Sequence, residues 1–176
     1  MAVENVKDVY RRDIARTFRS YKALGERAMA QVSDRDLHTL VDPDANSIAI
    51  IVRHLAGNLR SRFTDFLTTD GEKPARNRDS EFEMPEPVSR LEMMYWWQES
   101  WGVTLEAIDG LAPADLDRTV HIRGEAMMVP EALNRLVAHT AYHVGQIVFL
   151  AKHFSGERWT TLSIPRKRRG APETKY

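Results

Sequence analysis

The chain has no cysteine among its 176 residues. Disulfides, thiolate metal ligands and a cysteine nucleophile are therefore excluded. Nor is there an excess of charge, since 25 Lys plus Arg balance 25 Asp plus Glu. Binding to nucleic acid generally needs a basic face that displaces counterions, so a nucleic-acid partner is not expected. No apolar run approaches the roughly 18 residues that span a bilayer. The start, Met1-Ala2-Val3-Glu4-Asn5-Val6-Lys7-Asp8, mixes charged and apolar residues where a signal peptide would be continuously apolar. These absences predict a cytoplasmic protein with no membrane partner. Two familiar metal motifs are missing as well. Metalloproteases use His-Glu-x-x-His, but His139 is followed by Thr140. Di-iron bundles use Glu-x-x-His, and none of the six histidines (38, 54, 121, 139, 143 and 153) has Glu three positions before it.

What is present is helical periodicity. Val3, Val6, Tyr10, Ile14, Phe18, Tyr21, Leu24 and Ala28 recur at gaps of three and four, which predicts one long amphipathic helix ending near Met29. Arg11, Arg12, Arg16 and Arg19 form its solvated side. The Asp- and Pro-containing connection from Ser33 to Ala45 has room for a turn of helix around Asp34–Leu40. Asn46 or Ser47 caps a second long helix that reaches about Leu67 on a stripe of Ile48, Ile51, Val52, Leu55, Leu59, Phe63 and Phe66. A third runs from Pro87 or Val88 to about Gly110, with Val88, Leu91, Met94, Tyr95, Gln98, Trp101, Leu105 and Ile108 at helical spacing. Its cluster Met93-Met94-Tyr95-Trp96-Trp97 reads as core or dimer surface. Between the second and third helices lies a breaker-rich connection, Thr68 to Pro87, of a length that is often functional or mobile. Val120 and Ile122 alternate before Arg123-Gly124-Glu125, predicting a short hairpin. Pro130 then suits the first turn of a fourth long helix that ends near Phe154-Ser155-Gly156. The expected architecture is all-α: a four-helix bundle with a small β-hairpin before the last helix, as one domain over 1–165 with a basic tail over 166–176.

The stretch Leu136-Val137-Ala138-His139-Thr140-Ala141-Tyr142-His143-Val144-Gly145-Gln146-Ile147 carries the chemistry. Histidines four apart share a helix face, with Cβ atoms about 5–6 Å apart. Two such imidazoles can reach one ion at roughly 2.0–2.1 Å per nitrogen. At about 100° per residue from His139, His143 lies near +40° and Gln146 near −20°, at the border of the apolar stripe. From this segment alone, a metal site and two surface histidines are about equally good readings. His54 taken alone is a helix histidine, but in a bundle its helix can lie against the fourth and bring it opposite His139 and His143. Three neutral imidazoles leave an ion its full charge and an open position. His153 lies about 15 Å along the helix from His143 and cannot share that ion.

These residues resemble the DinB/YfiT-like superfamily. The resemblance rests on Asn46-Ser47-Ile48, His54-Leu55-Ala56-Gly57-Asn58, the His139–Ile147 motif, Arg76-Asn77-Arg78-Asp79 and Leu162-Ser163-Ile164-Pro165-Arg166. Within it the chain is similar to a subgroup of uncharacterised bacterial DinB-like proteins. The resemblance implies a four-helix bundle, often a homodimer, with a divalent metal (zinc or nickel) on His54, His139 and His143. Characterised members include S-transferases using bacillithiol or mycothiol and a mycothiol-dependent maleylpyruvate isomerase. The basic run Lys167-Arg168-Arg169 departs from the pattern. The expected function is metal-dependent activation of a low-molecular-weight thiol toward a small-molecule substrate. Metal-dependent hydrolysis and noncatalytic metal or ligand binding in a stress response are the alternatives. Since the chain supplies no thiol, one must come from a cosubstrate. Arg53 and Arg135 are candidates to bind its carboxylate, and Asn58 and Gln146 to orient ligands through hydrogen bonds.

Overall fold

The computed structural model describes residues 5–165; the basic tail expected over 166–176 and residues 1–4 lie outside that range. Among the described residues the chain is mostly helical: α1 (Val6–Met29), α2 (Asp34–His38), α3 (Ile48–Phe63), α4 (Arg90–Asp109) and α5 (Val129–Ser155), with strands β1 (Thr119–Ile122) and β2 (Glu125–Met128) before α5. The starts are set by side chains that satisfy the first free amides. Asn5, Ser33, Ser47 and Ser89 accept from Lys7, Asp36, Ile50 and Glu92, and Asp36 returns a bond to the Ser33 amide. At α5 the second residue is Pro130, and Glu131 accepts from the amide of Met128 at 2.7 Å. Because Ser47 is buried and starts the helix that carries His54, Ser47→Ala should cost about 1 kcal/mol. A lower urea midpoint with an unchanged slope would register that loss.

α3 packs mainly on α4, and α1 mainly on α5; α3 also meets α5, and α1 meets α4. The core runs between them, through Phe18, Leu55, Leu59, Phe63, Trp97, Trp101, Leu133, Val144 and Ile147. Phe18 sets its ring edge-on to Phe63 at 5.5 Å and to Trp101 at 6.3 Å. The expected stripe of α3 is the one buried, and α5 buries Leu133, Leu136, Thr140, Val144, Ile147 and Ala151. The expected stripe of α4 is buried only in part: Trp101 and Ile108 are core, but Leu91, Tyr95 and Gln98 are exposed, and the helix also buries Met93, Trp97, Ser100 and Thr104. Apolar residues occur all round α4, so spacing alone admits more than one face. α3 ends at Phe63, short of the expected Leu67, because Thr64 leaves helical geometry and Asp65 follows at φ 50°. Phe66 still joins the core, 5.5 Å from Phe63.

The hairpin turn is Arg123-Gly124, with φ of 58° and 75°, the left-handed pair a tight two-residue turn demands. Asp70 secures it by accepting from the amides of Arg123 (2.9 Å) and Gly124 (2.7 Å). The amide of Gly71 bonds the carbonyl of His121 at 2.8 Å, so the connection after α3 is tied to the hairpin. No helix among the described residues is long and apolar enough to cross a membrane.

Candidate metal centre

α3 and α5 bring His54, His139 and His143 together, each offering one ring nitrogen within 4.8 Å of the others. The Nε2 atoms of His139 and His143 are 3.2 Å apart. Two ligands at about 2.0–2.1 Å on a tetrahedral ion stand about 3.3 Å apart, so this pair already has the spacing of one coordination edge. The three rings converge, with centroids 4.5 Å apart for His139–His143, 4.8 Å for His54–His143 and 5.5 Å for His54–His139.

The outward nitrogens decide what the inward ones can do. His54 Nδ1 is 2.9 Å from Glu81 Oε2, and His143 Nδ1 is 2.8 Å from Gln146 Oε1. Both partners accept, so both Nδ1 atoms carry the proton and both Nε2 atoms present a lone pair toward the cluster. A carboxylate or amide oxygen behind a ligating imidazole fixes its tautomer and raises its basicity. His139 Nδ1 is buried with no hydrogen-bond partner among the described residues. This donor set suits a divalent ion, and three imidazoles with no carboxylate among them would leave its charge uncompensated.

Glu81 is the member the sequence reading did not find. It sits in a 3-10 turn, Asp79–Phe82, within the connection between α3 and α4, and is buried. Arg76 grips it with two bonds, Nε to Oε1 at 2.7 Å and Nη2 to Oε2 at 2.8 Å. The next residue, Phe82, stacks on His54 at 4.5 Å between centroids, and the Arg78 guanidinium lies over the Phe82 ring at 5.0 Å. The long connection thus folds back to lock one histidine. Room for Glu81 comes from Gly57, where a Cβ would fall 2.2 Å from Glu81 Oε1.

Burial drives the His139 imidazole down to about 3, with the facing His143 and His54 adding to the effect. Burial also lowers His143. Both rings are therefore neutral at pH 7, as coordination requires. Burial works against ionisation of Glu81, but the bonds from His54 and Arg76 prevail and hold its carboxyl below the usual range. Metal-free protein should accordingly lose stability as pH falls from about 6.5, where unfolded histidine takes up its proton while folded His139 resists. Glu72 and Glu81, held below their usual 4.5, contribute stability above that pH and lose it only at lower pH. Between about 6.5 and 4.5 the decline belongs to His139 and His143. Thermal midpoints at pH 7.0 and 5.0 test this. His139→Asn should narrow the difference between them; an undiminished difference would contradict the assignment.

The other expected site residues divide. Asn58 and Arg135 line a cavity of about 200 Å³ together with His54 and His139. Gln146 supports His143. Arg53 does not join them. Its guanidinium donates to the carbonyl of Glu83 and lies 5.8 Å over Trp96, in the wall of a separate cavity of about 920 Å³. Adjacent helix positions point about 100° apart, which carries Arg53 away from its neighbour His54. His121 and His153 are exposed and outside the cluster, and His38 contacts the carbonyl of Val88 at 2.9 Å.

A family model described as "Protein of unknown function (DUF1572)" matches residues 5–168. No curated protein matches the chain.

Proposed function

The chain belongs to the DUF1572 family, and we propose that it is a metal-dependent enzyme that activates a small-molecule thiol for S-transfer. DUF1572 is a DinB-like family, and the reading takes the fold as the DinB type of four-helix bundle. The observation that supports it best is the donor set: three imidazoles on two helices, two of them backed by Glu81 and Gln146. Zinc or nickel suits such nitrogen ligands. A divalent ion held there would lower the pKa of a thiol or a water molecule. The thiol must be a cosubstrate, because the chain has no cysteine.

The chain's own residues have distinct tasks in this reading. His54, His139 and His143 hold the ion. Glu81 and Gln146 keep the ring protons on Nδ1, and Arg76 keeps Glu81 ionised and in place. Arg135, Leu136 and His139 of α5 form one side of the small cavity. A carboxylate placed to act as general base for hydrolysis is not part of the cluster, since Glu81 already accepts from His54 and Arg76.

Initial rates of thiol conjugation to an electrophile test the proposal, with bacillithiol, mycothiol, glutathione and cysteine and with metal-free protein as control. The metal-loaded protein should accelerate at least one thiol. Its advantage should be greatest below the free thiol's pKa, where solution holds little thiolate. Equal rates with and without metal for all four would overturn the reading and favour hydrolysis or ligand binding. The reading also takes the protein as a cytoplasmic homodimer. On α4, Met93, Trp97 and Trp101 are core, and the exposed Leu91 and Tyr95 are the apolar side chains that support a dimer face.

A further inference from the structure

The small cavity beside the histidines has an unusual wall. Arg62, Arg78, Arg123 and Arg135 line it with His54, Asn58, Leu136 and His139, and no carboxylate is among the lining residues. The four guanidinium groups come from α3, the connection after it, the hairpin turn and α5. They are tethered without being consumed. Arg62 donates to the carbonyl of Gly71 and to Glu72. Arg123 donates through Nε to Glu72 at 2.8 Å, and Arg135 through Nη1 to Glu125 at 2.9 Å. Arg78 meets the exposed Asp79 only at 3.5 Å. A guanidinium carries five N–H donors, so Arg78, Arg123 and Arg135, each about half exposed, keep donors to spare.

Within the same wall is an unsatisfied group of the opposite kind. Asn58 is 6% exposed, and its Oδ1 has no hydrogen-bond partner among the described residues. A buried acceptor left unpaired costs stability unless something supplies a donor. The backbone also holds the turn residue Arg123 at positive φ, with Asp70 bonding its amide and that of Gly124. That anchorage fixes where the Arg123 side chain starts.

We propose that this cavity is an oxyanion subsite: it takes a carboxylate or phosphate of the small molecule whose reacting end lies at the histidines. Arg78, Arg123 and Arg135 bind the anionic group, and Asn58 Oδ1 accepts from an N–H or O–H carried beside it. Guanidinium groups match both oxyanions through paired N–H donors. The proposal rests on the metal-centre reading only in placing the reacting end; the arginine wall does not depend on the ion.

Calorimetric titration of the full chain with inorganic phosphate and with malonate, at constant ionic strength, tests it in both metal-loaded and metal-free protein. Saturable binding is expected in both forms, tighter with the ion present. The Arg123→Gln/Arg135→Gln double variant should weaken it about tenfold, the loss of a charge-assisted hydrogen bond discounted for exposure. Both side chains are half exposed, so the fold and the metal content should be retained. Arg16→Gln, on the surface of α1, should bind as wild type does. Preference for phosphate or malonate assigns the anion class. Absence of saturable binding, or binding unchanged in the double variant, would overturn the subsite. Binding that requires the ion and ignores the arginines would also overturn it. Failure of the protein to hold a metal would leave the metal-free titration to decide this proposal alone.

Discussion

Alanine at His143 should reduce bound divalent metal from one ion per chain to a small fraction of that, while the helical circular dichroism persists. His143 contributes a ring whose Nδ1 is committed to Gln146 and whose Nε2 faces His139 at 3.2 Å. Removing it breaks a pair already at coordination spacing. Loss of a supporting residue behind a ligand typically weakens metal binding about 10–100-fold, and loss of a ligand should exceed that. His54→Ala should behave alike. His153→Ala should leave occupancy unchanged, since that side chain is exposed and outside the cluster. Elemental analysis of the dialysed proteins reads all three. Full occupancy in His54→Ala would remove that residue from the site.

Gly57→Ala should be nearly as damaging, although Gly57 has no side chain and touches no ion. Its missing Cβ is what admits Glu81, whose carboxylate oxygen would lie 2.2 Å from the added carbon and its carbon 2.7 Å. That carboxylate is the end of a flexible chain, but it is not free to swing. It is buried, accepts from His54 and is held by two bonds from Arg76. Displacing it strips His54 of its acceptor and leaves Arg76, itself almost wholly buried, short of its partner. The cost should be on the order of 1–3 kcal/mol in stability, with metal affinity falling about 10–100-fold. Gly145→Ala is the matched control. It lies in α5 two residues after His143, where an added Cβ would meet nothing within 4 Å. There the better helix propensity of alanine should be neutral or stabilising by up to about 1 kcal/mol. Equal effects from the two substitutions would contradict the role given to Glu81.

These two glycines mark where the sequence is readable and where it is not. The i, i+4 histidines are a local periodicity that puts His139 and His143 on one helix face, whereas His54 joins them only through the packing of α3 on α5, which the family resemblance implies and spacing alone does not. Spacing locates only part of the α4 face, Trp101 and Ile108, because Leu91, Tyr95, Met93 and Trp97 offer competing apolar faces, and packing against α1 and α3 selects one. Glu81 could not be read at all. It lies 27 residues from His54 in a connection with no periodicity, and its partnership depends on how that connection folds back. The available signals were indirect: a long breaker-rich segment carrying Arg76 and Glu81, and a glycine inside a helix at position 57. Arg53 and His54 illustrate the converse limit. Adjacency in sequence put them together in expectation, and helical geometry sends them to different cavities.

His54, His139 and His143 should hold one divalent ion through inward-facing ring nitrogens. Anomalous diffraction from crystals of the metal-loaded protein, collected at the absorption edge of the ion found by elemental analysis, tests it most directly. The expected result is a single strong peak at about 2.0–2.1 Å from the Nε2 atoms of all three residues, with Glu81 and Gln146 still behind two of the rings. A map with no peak between the three rings, or with the ion bound by other residues, would contradict it.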